Sequence, residues 1–360
     1  MIVPEHISKI QPYIPGRPLE ELERELGISE AVKLASNENP LGPSPEVKDA
    51  IAAHVSGINR YPDGGGFYLR NALSGKLGVK PDQIVLGNGS NELIEIAARA
   101  FLLPGENAVM AAPSFVIYDS VVRAAGGESL IVPLKDGRHD LPRMAAAVTD
   151  RTRMVFVANP NNPTGTIVSH EEVVALLSAL PDNCLLVMDE AYYEYVAAPD
   201  YPDSPGLLGG GRDLLILRTF SKAYGIAGLR VGYGMGPVDV VETMNRIRQP
   251  FNCNGLAQAA ALAALRSDAH MRKVVEINRE GRQFLALEFD RLGIGYFPTE
   301  ANFFYVKLPR GQDPSDVFER LLRAGVIVRP AGPAAVRVTI GLPDENRRFI
   351  SAFENLLSQA

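Results

Sequence analysis

The sequence predicts an α/β protein whose central sheet is mostly parallel and covered by helices on both faces. Four apolar runs support this fold class: NAVMAA at 107–112, MVFVA at 154–158, CLLVM at 184–188 and LLILR at 214–218. Their spacing leaves room for a crossover helix between consecutive strands, as parallel pairing requires. The chain has 360 residues, of which 46% are hydrophobic, enough for a large core and a second, smaller domain.

The C-terminal part of the chain departs from this pattern and predicts a smaller α+β domain. The short strand-like runs GIGYFP, NFFYVKL, GVIVR and AVRVTI alternate there with helical segments such as DPSDVFERLLRAG. We therefore expect a large domain over residues 46–251 and a small domain formed by residues 1–45 together with 252–360. Near the N-terminus, LEELERELG predicts an amphipathic helix, and SNENPLGPSP at 36–45 predicts an extended link into the large domain.

Composition and charge argue against several functional classes. The formal net charge is -6 and basic residues form no stripe, so we expect no nucleic-acid binding. The start, MIVPEHISKIQPY, lacks the basic and apolar regions of a secretion signal, and no run of about 18 apolar residues predicts a membrane span. Two cysteines, Cys184 and Cys253, and five histidines without ligand spacing predict a cytoplasmic protein with no disulfide framework and no metal site.

Polar segments follow three of the four apolar runs. These are NPNNPTG at 159–165, DEAYYEY at 189–195 and TFSKAYG at 219–225. Because ligands bind at the carboxyl ends of the strands in this fold class, we expect the three segments to form one site. A fourth segment, GNGSNELIEIAARAF, predicts a helix N-terminus after residues 87–90 that binds an anion.

Lys222 follows the buried run at 214–218 closely, although lysines are seldom buried without a partner. At the end of a strand and among small residues, its amine is placed to act as a neutral nucleophile toward a carbonyl group. The alternative is an ordinary surface lysine in a loop.

The motifs around Lys222 resemble a known family. SKAYGIAGLR resembles the lysine motif of fold-type I pyridoxal-phosphate enzymes, and together with DEAY and NPNNPTG it is similar to the class II aminotransferases. SNENPLGPSP, RYPD, GNGSNE, RTFSKAYGIAGLRVGY and QPFN resemble one branch of these, the histidinol-phosphate aminotransferases. The resemblance extends from about Tyr13 to about Gly341, nearly the whole chain.

The resemblance implies pyridoxal 5'-phosphate as cofactor and assigns roles around its ring. Lys222 would form the aldimine with the cofactor aldehyde and then carry a proton between substrate and cofactor. Asp189 would pair with the ring nitrogen and keep it protonated, a helix N-cap being the alternative. Tyr192 and Asn162 would hydrogen-bond the phenolic oxygen of the ring.

The same resemblance implies a set of residues around the cofactor phosphate: Gly89, Ser90, Asn91, Thr219, Ser221 and Arg230. An arginine suits a phosphate because it donates two parallel hydrogen bonds, and a surface salt bridge is the alternative for Arg230. Phe115 falls where the family places a ring stacked on the cofactor, with a core position as the alternative. Tyr61, in RYPDGGG, would reach the cofactor phosphate of a neighbouring subunit, which implies a homodimer. The alternative is a loop tyrosine that only packs.

Two arginines of the C-terminal runs, Arg329 in GVIVRP and Arg337 in AVRVTIG, are candidate substrate ligands. By resemblance, Arg337 binds the α-carboxylate of glutamate and, in this branch, faces the substrate phosphate with Arg329 and Tyr13. Asn37 is a further substrate-binding candidate. The link PAGPAAV between the arginines is shorter than that branch leads us to expect, so the position of Arg329 depends on how this link folds.

The resemblance implies a cytoplasmic, homodimeric aminotransferase of histidine biosynthesis. It would interconvert L-histidinol phosphate and 2-oxoglutarate with imidazole acetol phosphate and L-glutamate. Two alternatives stay open: an aromatic amino acid aminotransferase, and a threonine-phosphate decarboxylase, which would release carbon dioxide and need no keto acid.

Overall fold

The computed structural model describes residues 3–12, 24 and 31–358. In these residues the strands are β1 (Val32–Lys33), β2 (Ile84–Gly87), β3 (Asn107–Ala112), β4 (Glu128–Pro133), β5 (Thr152–Ala158), β6 (Leu185–Asp189), β7 (Leu214–Thr219), β8 (Gly232–Met235), β9 (Phe303–Lys307), β10 (Val326–Ile327), β11 (Arg329–Pro330) and β12 (Ala335–Thr339). The α-helices are α1 (Glu5–Ser8), α2 (Pro45–His54), α3 (Phe67–Leu77), α4 (Ser90–Phe101), α5 (Ile117–Ala124), α6 (Leu141–Ala146), α7 (His170–Ala179), α8 (Ser204–Leu207), α9 (Val238–Ile247), α10 (Gly255–Ala264), α11 (Asp268–Arg291), α12 (Pro314–Arg323) and α13 (Pro343–Ser358).

The central sheet of the described chain has seven strands in the order β2-β8-β7-β6-β5-β3-β4. Strands β3 to β7 pair in parallel, whereas β8 is antiparallel to both of its neighbours. All four apolar runs of the sequence are strands of this sheet. The predicted α/β class with a mostly parallel sheet is therefore confirmed.

Successive side chains of the central strands enter two different cores. Leu186 and Met188 of β6 pack with apolar residues of α2, α3, α7 and α10. Leu185 and Val187 of the same strand pack with residues of α4, α5 and α9. Because side chains alternate along a strand, helices cover the sheet on both faces, which explains the uninterrupted apolar runs.

A second group of elements has its own core. Strands β11, β12 and β9 form an antiparallel sheet, and β1 pairs in parallel with β10. Val32 and Leu34 of the N-terminal part pack there with α11, α12 and α13. The two ends of the chain thus share one core, in an α+β arrangement as predicted.

Some sequence predictions differ from the structure or fall outside it. GIGYFP forms no strand and contributes only a bridge between Tyr296 and Val306. Helix α10, with Ala257 and Ala261, packs on the core of the large sheet. The division after residue 251 stays a prediction, and this packing favours a boundary nearer Ser267. The predicted LEELERELG helix and Tyr13 lie outside the described residues. In the described part of the chain, no helix combines the length and apolarity that a membrane crossing needs.

Candidate active site

A cavity of about 340 Å³ opens at the carboxyl ends of β5, β6 and β7, where Ala158, Asp189 and Thr219 line it. The sequence-predicted residues that line this cavity are Asn37, Ser90, Asn91, Phe115, Asn162, Asp189, Tyr192, Thr219, Ser221, Lys222, Arg230, Arg329 and Arg337. The fold therefore brings together side chains from both ends and the middle of the sequence. Of the other candidates, Gly89 precedes the cavity-lining Ser90 at the start of α4, Tyr61 is not among the lining residues, and Tyr13 is outside the described residues.

Lys222 lies in the turn that follows β7. Its Nζ donates a hydrogen bond to the carbonyl oxygen of Ser36 at 3.1 Å. Burial lowers the pKa of Lys222 to about 8, and the guanidinium groups of Arg337 and Arg230 act in the same direction. A substantial fraction of this amine is consequently neutral near physiological pH, which is the nucleophilic form.

A glycine in this turn allows its backbone to lie very close to the N-terminal segment. Gly225 has a φ of +71°, and a Cβ at this position would lie 2.5 Å from the carbonyl oxygen of Gly42. Glycine is therefore required both by the backbone conformation and by the close approach. This contact places residues 35–39 beside Lys222.

Asp189 ends β6 with its carboxylate buried at the cavity. Tyr118 donates a hydrogen bond to Oδ2 at 2.8 Å, whereas Oδ1 has no hydrogen-bond partner among the described residues. Burial raises the pKa of Asp189 to about 6, and the bond from Tyr118 acts against this shift. A buried oxygen left in this way calls for a donor on the molecule that fills the cavity, and a protonated ring nitrogen meets that need.

Asn37 connects Tyr192 with the C-terminal sheet. Its Nδ2 donates to the hydroxyl oxygen of Tyr192 at 3.0 Å, and its backbone N–H donates to Oγ1 of Thr339 at 2.9 Å. Thr339 in turn donates to the side-chain oxygen of Asn37 at 3.1 Å. The φ of Asn37 is +55°, a conformation that asparagine tolerates better than most residues. The network fixes the phenol of Tyr192 at the cavity wall.

A cradle for an anion lies at the N-terminus of α4. Gly89 has a φ of +83°, and a Cβ there would lie 2.5 Å from Nη2 of Arg230. Nη1 of Arg230 donates to Oγ of Ser221 at 3.2 Å, and Oγ1 of Thr219 donates to the same oxygen at 3.0 Å. A guanidinium group, two hydroxyl groups and the free N–H groups of a helix start thus converge. This arrangement suits a phosphate group.

Phe115 is half-buried and lines the cavity beside Tyr118. Its ring lies 5.6 Å from that of Tyr118 at an angle of 85°. The ring is thus available at the cavity surface, and its stacking on a cofactor stays a prediction.

Arg337 and Arg329 are directly opposite each other on β12 and β11. The short link folds as a tight hairpin, in which Ala331 N–H donates to the carbonyl oxygen of Ala335 at 2.9 Å. Arg337 is buried and donates to Oδ1 of Asn162 at 2.7 Å and to the carbonyl oxygen of Ala35 at 2.5 Å. The link that left the position of Arg329 open therefore places it beside Arg337 at the cavity.

Tyr61 is 83% exposed and stacks on Phe251 with ring centroids 4.7 Å apart. It does not belong to the described lining of the cavity of its own chain.

The sequence interpretation missed three residues that the structure brings to the site. Tyr118 has a local signal, because it lies three positions after Phe115, in the helix that starts at Ile117. Ser36 begins the segment SNENPLGPSP and Thr339 lies in AVRVTIG, but neither segment indicates these contacts, since the partners Lys222 and Asn37 are 186 and 302 positions away in the chain.

Comparison with known proteins assigns a family. Residues 29–353 match the family model "Aminotransferase class I and II". Histidinol-phosphate aminotransferase from Moorella thermoacetica is 48% identical over 98% of this chain and 92% of its own length. Histidinol-phosphate aminotransferase 2 from Pseudomonas fluorescens is also 48% identical, over 98% of this chain and 97% of its own.

A solved structure agrees with these relatives. The crystal structure of histidinol-phosphate aminotransferase from Sinorhizobium meliloti, in complex with pyridoxal-5'-phosphate, superimposes with a TM-score of 0.90 at 31% identity. The match covers 99% of this chain and 98% of that one. The chain belongs to the class I and II aminotransferase family.

Proposed function

We propose that this protein is a pyridoxal-phosphate-dependent aminotransferase of histidine biosynthesis. It transfers an amino group between L-histidinol phosphate and 2-oxoglutarate, with imidazole acetol phosphate and L-glutamate as the other pair. The observation that carries the proposal is the arrangement of two arginines, Arg329 and Arg337, opposite each other at the cavity that holds Lys222. The similarity to relatives named for this reaction supports it.

The residues at the cavity fit the cofactor at both of its ends. Asp189 offers a buried oxygen without a partner among the described residues, which suits the protonated ring nitrogen. The cradle formed by Arg230, Ser221 and the start of α4 suits the phosphate. When bound, pyridoxal phosphate supplies an aldehyde that condenses with amines and a ring that withdraws electrons.

Lys222 is the residue that moves a proton in this proposal. A group whose pKa is about 8 exchanges readily between its neutral and charged forms near neutral pH. Its amine can therefore take a proton from the reacting carbon of the substrate and return one to the product. Tyr192, held by Asn37, supplies a hydroxyl group that orients the reactants at the same wall.

Two arginines suit a phosphate better than a carboxylate. A phosphate monoester carries up to two negative charges and three acceptor oxygens, enough for a second guanidinium group. A carboxylate is already satisfied by one bidentate arginine. We infer that Arg337 binds the anionic group of both substrates and that Arg329 adds binding mainly for the phosphate.

A homodimer is part of the proposal. Five large apolar residues are exposed and are here termed the aromatic patch: Ile58, Tyr61, Phe67, Tyr68 and Phe251, of which Tyr61 stacks on Phe251 and Phe67 meets Tyr68 edge-on. Asn252, next to this patch, donates to the carbonyl oxygen of Leu86 and to the Glu92 carboxylate of α4. The patch is thus continuous with the loop that leads to the anion cradle, so a second copy seated on it can reach that cradle.

We also place the enzyme in the cytoplasm. Both cysteines are free thiols and buried, which suits a reducing compartment.

The direct test is an assay of the purified holoenzyme with L-histidinol phosphate and 2-oxoglutarate. We expect glutamate and imidazole acetol phosphate in equal amounts and no carbon dioxide. Faster turnover of phenylalanine or tyrosine would favour the aromatic amino acid alternative. Carbon dioxide release from O-phosphothreonine without a keto acid would favour the decarboxylase.

A variant at Arg329 tests phosphate recognition. Loss of a charge-assisted hydrogen bond should lower kcat/KM of Arg329→Ala for histidinol phosphate by about ten- to a hundredfold. The value for glutamate should fall clearly less. Arg310→Ala, which changes an exposed arginine of the same part of the chain, is the control and should change neither value. Equal losses for both substrates would contradict the phosphate role of Arg329.

A further inference from the structure

A buried ion pair lies directly behind the catalytic residues. Nε and Nη2 of Arg218 lie 2.9 and 2.8 Å from the same oxygen of Glu190, and both side chains are almost fully buried. Glu190 is the residue after Asp189, and Arg218 is the residue before Thr219. The pair thus joins the ends of β6 and β7 at the edge where the cavity opens.

The neighbourhood of this pair is also built from polar contacts. The hydroxyl of Ser204 donates to the other Glu190 oxygen. The ring of Tyr193 covers the Arg218 guanidinium at 3.4 Å, and the backbone N–H of Glu190 donates to the carbonyl oxygen of Leu217 at 2.8 Å. One guanidinium group therefore holds the segment that carries Asp189 and Tyr192 onto the strand that leads to Lys222.

Strand alternation separates this cluster from the cavity. Successive side chains of a strand point to opposite faces, so Glu190 and Arg218 lie on the side away from Asp189 and Thr219. Neither residue belongs to the described lining of the cavity. Their influence on the reaction therefore has to pass through the backbone of their neighbours.

Stability alone does not account for such a pair. Replacing a buried ion pair with apolar residues of similar volume is often neutral or stabilising, because burial removes both charges from water. What an ion pair adds is direction, since a planar guanidinium group fixes the position of the carboxylate it binds.

We propose that Glu190 and Arg218 are positioning residues, which hold Asp189 and Lys222 at the spacing required by the one cofactor that both of them contact. The inference rests on the pyridoxal-phosphate chemistry proposed above.

The test compares two variants of the holoenzyme. Glu190→Gln keeps the size of the side chain but removes its charge. The double variant Glu190→Leu with Arg218→Met replaces the pair with apolar side chains. It is made in a Glu194→Gln background, because Arg218 also faces the buried Glu194 carboxylate, which would otherwise lose its cation. Three quantities are measured for each: Tm, the concentration of pyridoxal phosphate that half-saturates the cofactor-depleted protein, and kcat and KM for glutamate.

We expect the double variant to have the Tm of the wild type but a lower kcat and a weaker affinity for pyridoxal phosphate. Its kcat should stay about 10- to 100-fold low, because a displacement of about 1 Å has effects of that size, while KM changes by less than about threefold. The half-saturating concentration of pyridoxal phosphate should rise by about tenfold in both variants. Glu106→Gln breaks the Arg153–Glu106 pair, 2.8 Å long and at the opposite edge of the sheet, and should leave cofactor affinity unchanged.

Wild-type kcat and cofactor affinity in the double variant would overturn the proposal, as would an equal loss of affinity in Glu106→Gln. Cofactor affinity does not depend on which amino donor the enzyme uses. A failure of the histidinol phosphate assignment would therefore leave this readout intact and would be recognised separately.

Discussion

At the scale of single residues, the chemistry of the site depends on how each ionisable group is surrounded. Lys222 is buried near two arginines, and its pKa is about 8 instead of the ordinary 10.5. Asp189 is buried, and burial outweighs the bond from Tyr118 and the charge of Lys222, so that its pKa is about 6 instead of 3.8. Both groups consequently change protonation state near neutral pH, which ordinary lysines and aspartates do not.

The lowered pKa of Lys222 predicts a pH dependence for uptake of the cofactor. Only the neutral amine attacks an aldehyde, and its fraction increases as the pH rises through the pKa. In cofactor-depleted protein the second-order rate constant for binding pyridoxal phosphate should therefore rise with pH and level off above about 8. Stopped-flow absorbance in the visible range measures it.

Lys222→Ala is the control for this measurement and should give no visible absorbance change at any pH. A rate constant that keeps rising toward pH 10.5 would mean that the amine is not perturbed as the structure indicates.

The sequence predicted those site residues that lie in a recognisable local motif. Lys222, Asp189 and Arg230 each lie in a segment with a recognisable pattern and are found at the cavity. Ser36 and Thr339 could not be found in this way, because nothing in a serine or threonine indicates a partner 186 or 302 positions away. Such contacts follow only from the fold.

At the scale of elements, the start of α4 couples a backbone conformation to a charged side chain. Gly89 provides a left-handed φ and leaves room for the guanidinium of Arg230. The sheet requires a second glycine here, since a Cβ on Gly232 of β8 would lie 2.6 Å from the backbone nitrogen of Ser90. The anion cradle thus lies where the start of α4 packs closely against the first residue of β8.

Gly89→Ala should weaken cofactor binding by more than its effect on folding. The new methyl group displaces the Arg230 guanidinium, and the backbone at φ +83° and ψ 166°, which is open essentially to glycine alone, adds about 1 to 3 kcal/mol of strain. Gly78→Ala is the matched control: its φ is +70°, it follows α3, and apart from its chain neighbours no described atom lies within 4 Å of the added methyl group.

Both variants should lose stability in urea unfolding of the cofactor-depleted protein, and Gly89→Ala should lose more, because Gly78 has the milder left-handed helical backbone (φ +70°, ψ 20°). Only Gly89→Ala should need more pyridoxal phosphate for half-saturation. Equal affinities in the two variants would show that Arg230 and the start of α4 do not bind the phosphate.

Two segments, β8 and GIGYFP, fold differently from what their own residues favour, and the reason is the same for both. Strand β8 has the sequence GYGM, and glycine is depleted in strands because it loses much backbone entropy on folding and contributes no side-chain packing. It forms a strand because β2 and β7 pair with it on both sides. GIGYFP has the composition of a strand, but it makes only one bridge, to Val306. Tertiary pairing decided both cases, and local propensity did not.

At the scale of the whole molecule, the aromatic patch sets the expected assembly. Large exposed aromatic side chains in one patch indicate a surface that another molecule covers. The proposal of a homodimer gives one of them, Tyr61, a role in the partner's anion cradle.

Mixing two inactive variants tests this role. Tyr61→Phe and Lys222→Ala should each have low activity as homodimers. In a heterodimer, one site then carries both defects and the other carries neither. Random subunit exchange at equal amounts makes half of the dimers mixed, so activity should recover to about a quarter of the wild-type value.

Exchange is monitored with a tag on one subunit, and a mixture kept from exchanging is the control. If mixed dimers form and remain inactive, Tyr61 does not serve the neighbouring site.

The hydrogen bonds between residues 35–37 and β12 have a consequence for the chain as it is synthesised. Ala35 and Arg337, like Asn37 and Thr339, meet across 302 positions, whereas the last strand of the seven-stranded sheet ends at Met235. Because a chain folds from its N-terminus as it leaves the ribosome, the sheet and Lys222 can fold before the two arginines that we propose to bind the substrate have been translated. A product that stops short of residue 337 would keep the amine of Lys222 and lack Arg337, to which we assign binding of the substrate anion, so we expect selectivity only from a nearly complete chain.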